Sequence, residues 1–133
     1  MRLSAQTLDG RMPIPTYCRY FVEIPYRDHF TLNEVSTIRR GHGPRDQDEK
    51  WVFSFESPNI VVRRSGVGIP TFLVRLSFEP SGEAEVQAAY LDPEFAESSW
   101  WRETFSLLIP WLIRAKLLGQ ETPQPRIPPE PAT

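Results

Sequence analysis

The chain carries a single cysteine, Cys18, so it can form neither an intramolecular disulfide nor a multi-cysteine metal site. That usage fits a reducing compartment. Read alone, Cys18 is a small, partly buried apolar residue rather than a reactive thiol. Basic charge is not in excess either: 15 Lys and Arg stand against 17 Asp and Glu, for a net charge of −2. This removes the commonest electrostatic support for nucleic-acid and anionic-membrane partners. Apolar runs of spanning length are missing as well. Arg114 and Lys116 interrupt the most apolar C-terminal stretch, and the charge-free run from Thr104 to Ile113 is far short of the ~20 residues a membrane span requires. Met1 to Asp9 has no apolar core of signal-peptide length. A cytoplasmic protein with no nucleic-acid partner, no membrane partner and no cofactor is the expectation.

What is present suits one globular domain. At 133 residues, 40% hydrophobic and 24% charged, the chain is long enough to bury a core and ordinary in composition. Proline is the one excess, with 14 residues. Five of them, Pro123, Pro125, Pro128, Pro129 and Pro131, fall at the very C-terminus. The reading is therefore a flexible leader over residues 1–16, an α+β domain over 17–119 and a Pro-rich, disordered tail over 120–133. Two PxxP spacings, Pro125 to Pro128 and Pro128 to Pro131, give the tail a polyproline character. Arg126 lacks a complete basic-anchored ligand pattern, because Ala132 stands where a proline would be wanted.

The domain is organised around Lys50 to Tyr90. Trp51, Phe53 and Phe55 share one face of a first strand, and Ile60 to Arg64 opens with three β-branched residues that suit burial on both faces. In Thr71 to Glu79, Phe72, Val74, Leu76 and Phe78 alternate with Thr71, Leu73, Arg75, Ser77 and Glu79. Ala84, Val86, Ala88 and Tyr90 alternate in the last strand. Period-two patterning of this kind predicts an antiparallel β-meander with one buried face, since a one-residue slip would turn every apolar residue to water.

The flanking segments add a strand and helices. Tyr17 to Ile24 suits an edge strand ending at Pro25. Thr31 and Glu34 have capping-box spacing, and Leu32, Val35 and Ile38 form a stripe, so a short helix runs to Gly41, with a strand as the alternative because of its β-branched residues. Asp92 and Pro93 start a C-terminal helical segment that reaches about Leu118 and covers the sheet. Trp101, Phe105, Leu108, Leu112 and Ala115 form its main apolar stripe, with Trp100, Leu107 and Trp111 on a flanking one. Pro110 predicts a kink or break near residues 106–110.

Chemistry-bearing residues are few. His42 with Asp46, Asp48 and Glu49 offers imidazole and carboxylates for a divalent metal or proton transfer, but at no ligand-motif spacing, and a solvated charged loop is the ordinary alternative. Arg63, Arg64, Ser65, Gly66 and Gly68 offer guanidinium groups and a glycine-containing turn to an anion. Neither a P-loop nor a dinucleotide fingerprint is present, and Arg63 and Arg64 should point to opposite faces of a strand. Arg39, Arg40 and Arg45 would extend the patch only if the loops meet. Trp100, Trp101 and Trp111 read as core first and as a partner surface second.

Asp48, Glu49, Lys50 and Trp51, then Phe55 and Glu56, then Arg64, Ser65 and Gly68 resemble a group of small bacterial proteins. The stretch shared by that group runs DEKW, an aromatic strand ending in Glu, and an HRSWTG-like turn. Arg63, Gly66 and Val67 replace its His, Trp and Thr, and the resemblance implies no activity. The favoured expectation is a non-enzymatic binding or interaction module, with homodimerisation through a sheet edge or the Trp-rich helix. The alternative is a small enzyme or ligand-binding protein for an anionic, for example phosphorylated, small molecule, with Arg63 and Arg64 binding charge and His42, Asp46 or Glu49 as acid, base or metal ligand. Ser65 and Trp51 complete the candidate ligand-binding residues.

Overall fold

The computed structural model describes residues 18–42 and 50–131. The expected leader over residues 1–16, and Arg45, Asp46, Asp48 and Glu49 of the charged loop, lie outside the described residues.

Six strands build one sheet: β1 (Val22–Ile24), β2 (His29–Phe30), β3 (Trp51–Glu56), β4 (Asn59–Arg64), β5 (Pro70–Phe78) and β6 (Ala84–Leu91). Their order is β1-β6-β5-β4-β3, and β2 pairs with β6 as well. All pairings are antiparallel. The meander forms over β3 to β6, and the register lines Phe53, Val62, Phe72 and Leu91 into one row across it. The expected alternation holds only for the first half of β6, since a shift of register turns Ala88 and Tyr90 to the face opposite Ala84 and Val86. β1 and β2 together make a single edge strand, interrupted after Ile24 by Pro25, whose missing N–H cannot continue a ladder.

Three helices follow the same logic of caps and stripes. In α1 (Leu32–Arg40) the Thr31 side chain accepts from Glu34 N while the Glu34 side chain accepts from Thr31 N, so the capping box is complete. Val35 and Ile38 are buried. Gly41 stops the helix at φ 70°, and a Cβ there would lie 2.7 Å from the Phe53 carbonyl oxygen. That close approach lets His42 form a two-way backbone bridge with Phe53 of the edge strand β3. Asp92 caps α2 (Pro93–Ala96) with Pro93 at its start, and Ser98 caps α3 (Ser99–Trp111).

Pro110 lies inside α3, which continues to Trp111, and the winding then widens to a π-helical segment, Leu112–Leu117. The break expected near residues 106–110 does not occur, since α3 runs through them; the winding changes directly after Pro110 instead, closed by Leu118 N donating to Ile113 O at 2.9 Å. Phe105, Ile109, Leu112, Ile113 and Leu117 are buried in the cluster that holds Phe72, Val74 and Leu91. Each such side chain contributes roughly 1.5–3 kcal/mol by leaving water.

One buried face is not the whole account of the sheet. On β5, Leu73 and Arg75 are fully buried alongside Phe72 and Val74. Cys18, Leu73, Ala88 and Tyr90 form a second cluster, with Phe21 packed against it. The backbone just before β1 thus covers part of the face that alternation assigned to solvent. Arg75 is accommodated there with its guanidinium 5.9 Å from the Tyr90 ring centroid.

Candidate functional site

The residues singled out for anion binding do not act as one group. Arg63 is held by its own hairpin: Nε donates to Gly68 O at 3.0 Å, Nη1 to Ser54 Oγ at 3.3 Å, and Nη2 lies 3.5 Å from Glu56 Oε2. Arg64 is exposed and stands opposite Trp51 in the register. Since successive residues of a strand face opposite ways, Arg63 and Arg64 present to different sides of the sheet. Ser65 N donates to Lys50 O at 2.7 Å, closing the β3–β4 pair. His42 sits on the outer side of β3, so two inter-strand spacings, roughly 10 Å, separate its backbone from that of β4. Trp51 packs toward the interior, 6.1 Å from Phe72.

Cys18 is fully buried. Burial pushes its thiol pKa up to about 12, which removes it as a nucleophile.

The α3 face is different in kind. Trp101 belongs to the core, with Phe95, Phe105 and Trp100 rings at 5.1, 5.6 and 4.7 Å. Trp100 and Trp111 lie on the flanking stripe, eleven residues apart and thus three helical turns along one side. Exposed Leu107 lies between them on the same stripe. Each indole donates to the backbone of the C-terminal segment: Trp100 Nε1 to Pro128 O at 2.9 Å and Trp111 Nε1 to Thr122 O at 3.0 Å. Lys116 Nζ lies 5.4 Å from the Trp111 ring centroid.

Residues 120–131 have no helix or strand, and they lie antiparallel along α3. The dimensions agree. Trp100 to Trp111 spans roughly 16 Å of helix, and Thr122 to Pro128 spans roughly 19 Å at the rise of a polyproline II chain. Along the segment Thr122, Pro125, Ile127 and Pro128 are half-buried, while Pro123, Gln124, Arg126 and Pro129 are exposed. Thr122, Pro125 and Pro128 recur every three residues, the period of a polyproline turn, and Ile127 adds a further half-buried side chain between them. Pro125 and Pro128 are the first PxxP pair of the sequence.

A charged cluster anchors the start of this segment. Gly119, at φ 72°, turns the chain out of the π-helical segment, and the Gln120 side chain donates to Glu34. Arg114 is the centre of the cluster. It forks onto Asp28, with Nη2 to Oδ1 at 2.6 Å and Nε to Oδ2 at 3.1 Å, pairs with Glu34, and donates to His29 O at 2.8 Å. Burial raises the Asp28 pKa, but hydrogen bonds from Arg114, Tyr26 and the His29 N–H outweigh it, so the carboxyl lies below its ordinary range. Glu34 is likewise lowered: the burial effect is outweighed by the Thr31 N–H, Gln120 and Arg114.

A hollow of about 420 Å³ opens where the edge strand breaks, between Glu23, Tyr26 and Arg27 on one side and Gln87 on the other. Arg27 Nη1 donates across it to Gln87 O at 3.3 Å.

The flanking stripe was visible in the spacing of Trp100, Leu107 and Trp111. Its occupant was not, because a proline-rich segment has no periodicity of hydropathy that marks it as docked. Compared with known proteins, the chain has no match among family models, curated proteins or solved structures.

Proposed function

We propose that this protein is a non-enzymatic interaction module whose α3 face binds extended, proline-rich segments, and that its own residues 122–128 occupy the face as a tethered ligand. The observation that carries the reading is the pair of indole donors, Trp100 and Trp111, set at the spacing of carbonyls two polyproline turns apart. Aromatic grooves recognise such segments in this way, because the ligand backbone is already extended and leaves its carbonyls unpaired. The commitment of Arg63 to its own hairpin and the depth of Cys18 support a binding role over a catalytic one.

Tethering sets the affinity. A ligand joined to its groove by a few residues acts at an effective concentration of order mM, so a partner peptide competes at a disadvantage with the tail. The test uses a chain ending at Gly119, its fold checked by circular dichroism, and a synthetic peptide of residues 120–131 added in trans. Expected is a saturable change in tryptophan fluorescence that is weaker in the intact chain. Trp100→Phe and Trp111→Phe should each lower affinity about fivefold, the worth of one hydrogen bond near 1 kcal/mol. Failure of the peptide to bind the shortened chain, or equal binding to the intact one, refutes the reading.

A further inference from the structure

His29, Glu79 and Glu83 converge at the β5–β6 turn, and none of them takes part in the α3 face. β2 delivers the imidazole, since its register sets His29 opposite Glu85. Alternation then places Glu83, two residues earlier, on the same side of the sheet. The turn that carries the carboxylates is tied by its own backbone: Glu79 N donates to Glu83 O and Gly82 N to Glu79 O, each at 2.9 Å, and Glu83 N to Ser81 Oγ at 3.2 Å. The backbone of His29 is held from outside the cluster, its N–H by Asp28 Oδ1 at 2.9 Å and its carbonyl by Arg114 Nη2 at 2.8 Å. Three potential ligands therefore come from two separately fixed pieces of chain.

Two of their separations are of the size that a shared cation gives. His29 Nε2 lies 3.0 Å from Glu83 Oε1 and 3.4 Å from Glu79 Oε2, and the three ligating atoms lie within 4.8 Å of one another. A dication with bonds near 2.1 Å to nitrogen and oxygen holds neighbouring ligand atoms about 3.0 Å apart at an octahedral angle and about 3.4 Å apart at a tetrahedral one. The Glu83 distance has the first value and the Glu79 distance the second. The ligand types narrow the choice of ion: magnesium and calcium prefer all-oxygen sites, whereas one imidazole with two carboxylates suits zinc and its first-row neighbours.

We propose that His29, Glu79 and Glu83 form a binding site for a divalent transition-metal ion of the zinc class, with solvent completing the coordination shell. A dication offsets the mutual repulsion of the two carboxylates. The site joins β2 to the β5–β6 turn, so an ion bound there clamps the interrupted edge strand onto the meander.

The chain has two histidines, His29 and His42, and this supplies the test its internal control. Zn²⁺ is titrated into the full-length protein at neutral pH while the imidazole Hε1 resonances are followed by proton NMR. The expected result is a saturating shift of the His29 signal with His42 unmoved. Glu79→Gln and Glu83→Gln sit at a partly exposed turn, and each should weaken the response at least about tenfold with an unchanged circular dichroism spectrum. A plain imidazole–carboxylate contact gives a different outcome: a His29 signal that ignores zinc up to about 1 mM, an affinity of only some 4 kcal/mol. That result overturns the proposal. So does a zinc response equal in wild type and both Gln variants, or one that moves His42 and leaves His29 still.

Discussion

Replacing Arg114 by Met removes the guanidinium and keeps an unbranched apolar stem against the Phe30 ring, which the guanidinium carbon now faces at 4.8 Å. Arg114 bonds Asp28 twice, Glu34 once and the His29 carbonyl once. Loss of one partner from a buried charged pair costs about 3–5 kcal/mol when the other is left bare. Here neither carboxylate is bare. Asp28 keeps the Tyr26 hydroxyl at 2.8 Å and the His29 N–H at 2.9 Å, and Glu34 keeps the Thr31 N–H and Gln120. The expected loss at neutral pH is therefore about 2–3 kcal/mol. For 133 residues an unfolding entropy near 0.28 kcal/mol/K converts this to a Tm lower by about 7–11 °C.

The pH dependence identifies the cause. Both carboxyl groups have folded pKa values below their ordinary ones, so their contribution is present above about pH 4–5, where the unfolded carboxyls are ionised. It is lost as pH falls through the lowered folded values. The stability gap between wild type and Arg114→Met should close on acidification, as read by urea denaturation at a series of pH values. A gap below about 0.5 kcal/mol at neutral pH, ordinary for a surface change, or a gap that stays constant into acid, refutes the assignment of Arg114 as the tie between β2, α1 and the helical segment.

Other expectations follow from single positions. Gly41→Ala places a Cβ 2.7 Å from the Phe53 carbonyl oxygen at φ 70°, ψ −173°. Urea unfolding should show a loss of about 2–4 kcal/mol, the cost of a glycine-only backbone region plus the displaced β3 edge, and an unchanged midpoint counts against it. Cys18 should resist a thiol-specific reagent in the native protein and react fully in denaturant, because it is wholly buried with its pKa pushed up to about 12. Stoichiometric labelling of the native state would show the second cluster to be open.

The meander was legible in β3 and β5, where burial on the helix side imposes period two on Trp51, Phe53 and Phe55 and on Phe72, Val74, Leu76 and Phe78. In β6 the alternation of Ala84, Val86, Ala88 and Tyr90 misled, because a shift of register sends Ala88 and Tyr90 to the second cluster and Ala89 and Leu91 to the helix side. α1 was legible from Thr31 and Glu34, whose reciprocal hydrogen bonds need only local geometry. What escaped were contacts set by tertiary placement. Arg114 and Asp28 are 86 positions apart, and no local pattern distinguishes this arginine from a solvated one. The burial of Leu73 and Arg75 depends on where the segment before β1 lies, which alternation within β5 cannot report. The anion-site reading of Arg63 and Arg64 ran into the same limit, since the partners Ser54 and Glu56 come from the neighbouring strand.

The divided edge beside β6 has a bearing on solubility. A long outer strand presents a row of free amides and carbonyls on which another protein's strand can anneal. On this flank the outer strand consists of three residues and then two, with Pro25 and a charged bend between them. An intruding strand would find only short, misaligned lengths to zip against, so this side of the sheet is protected from runaway stacking by its own discontinuity.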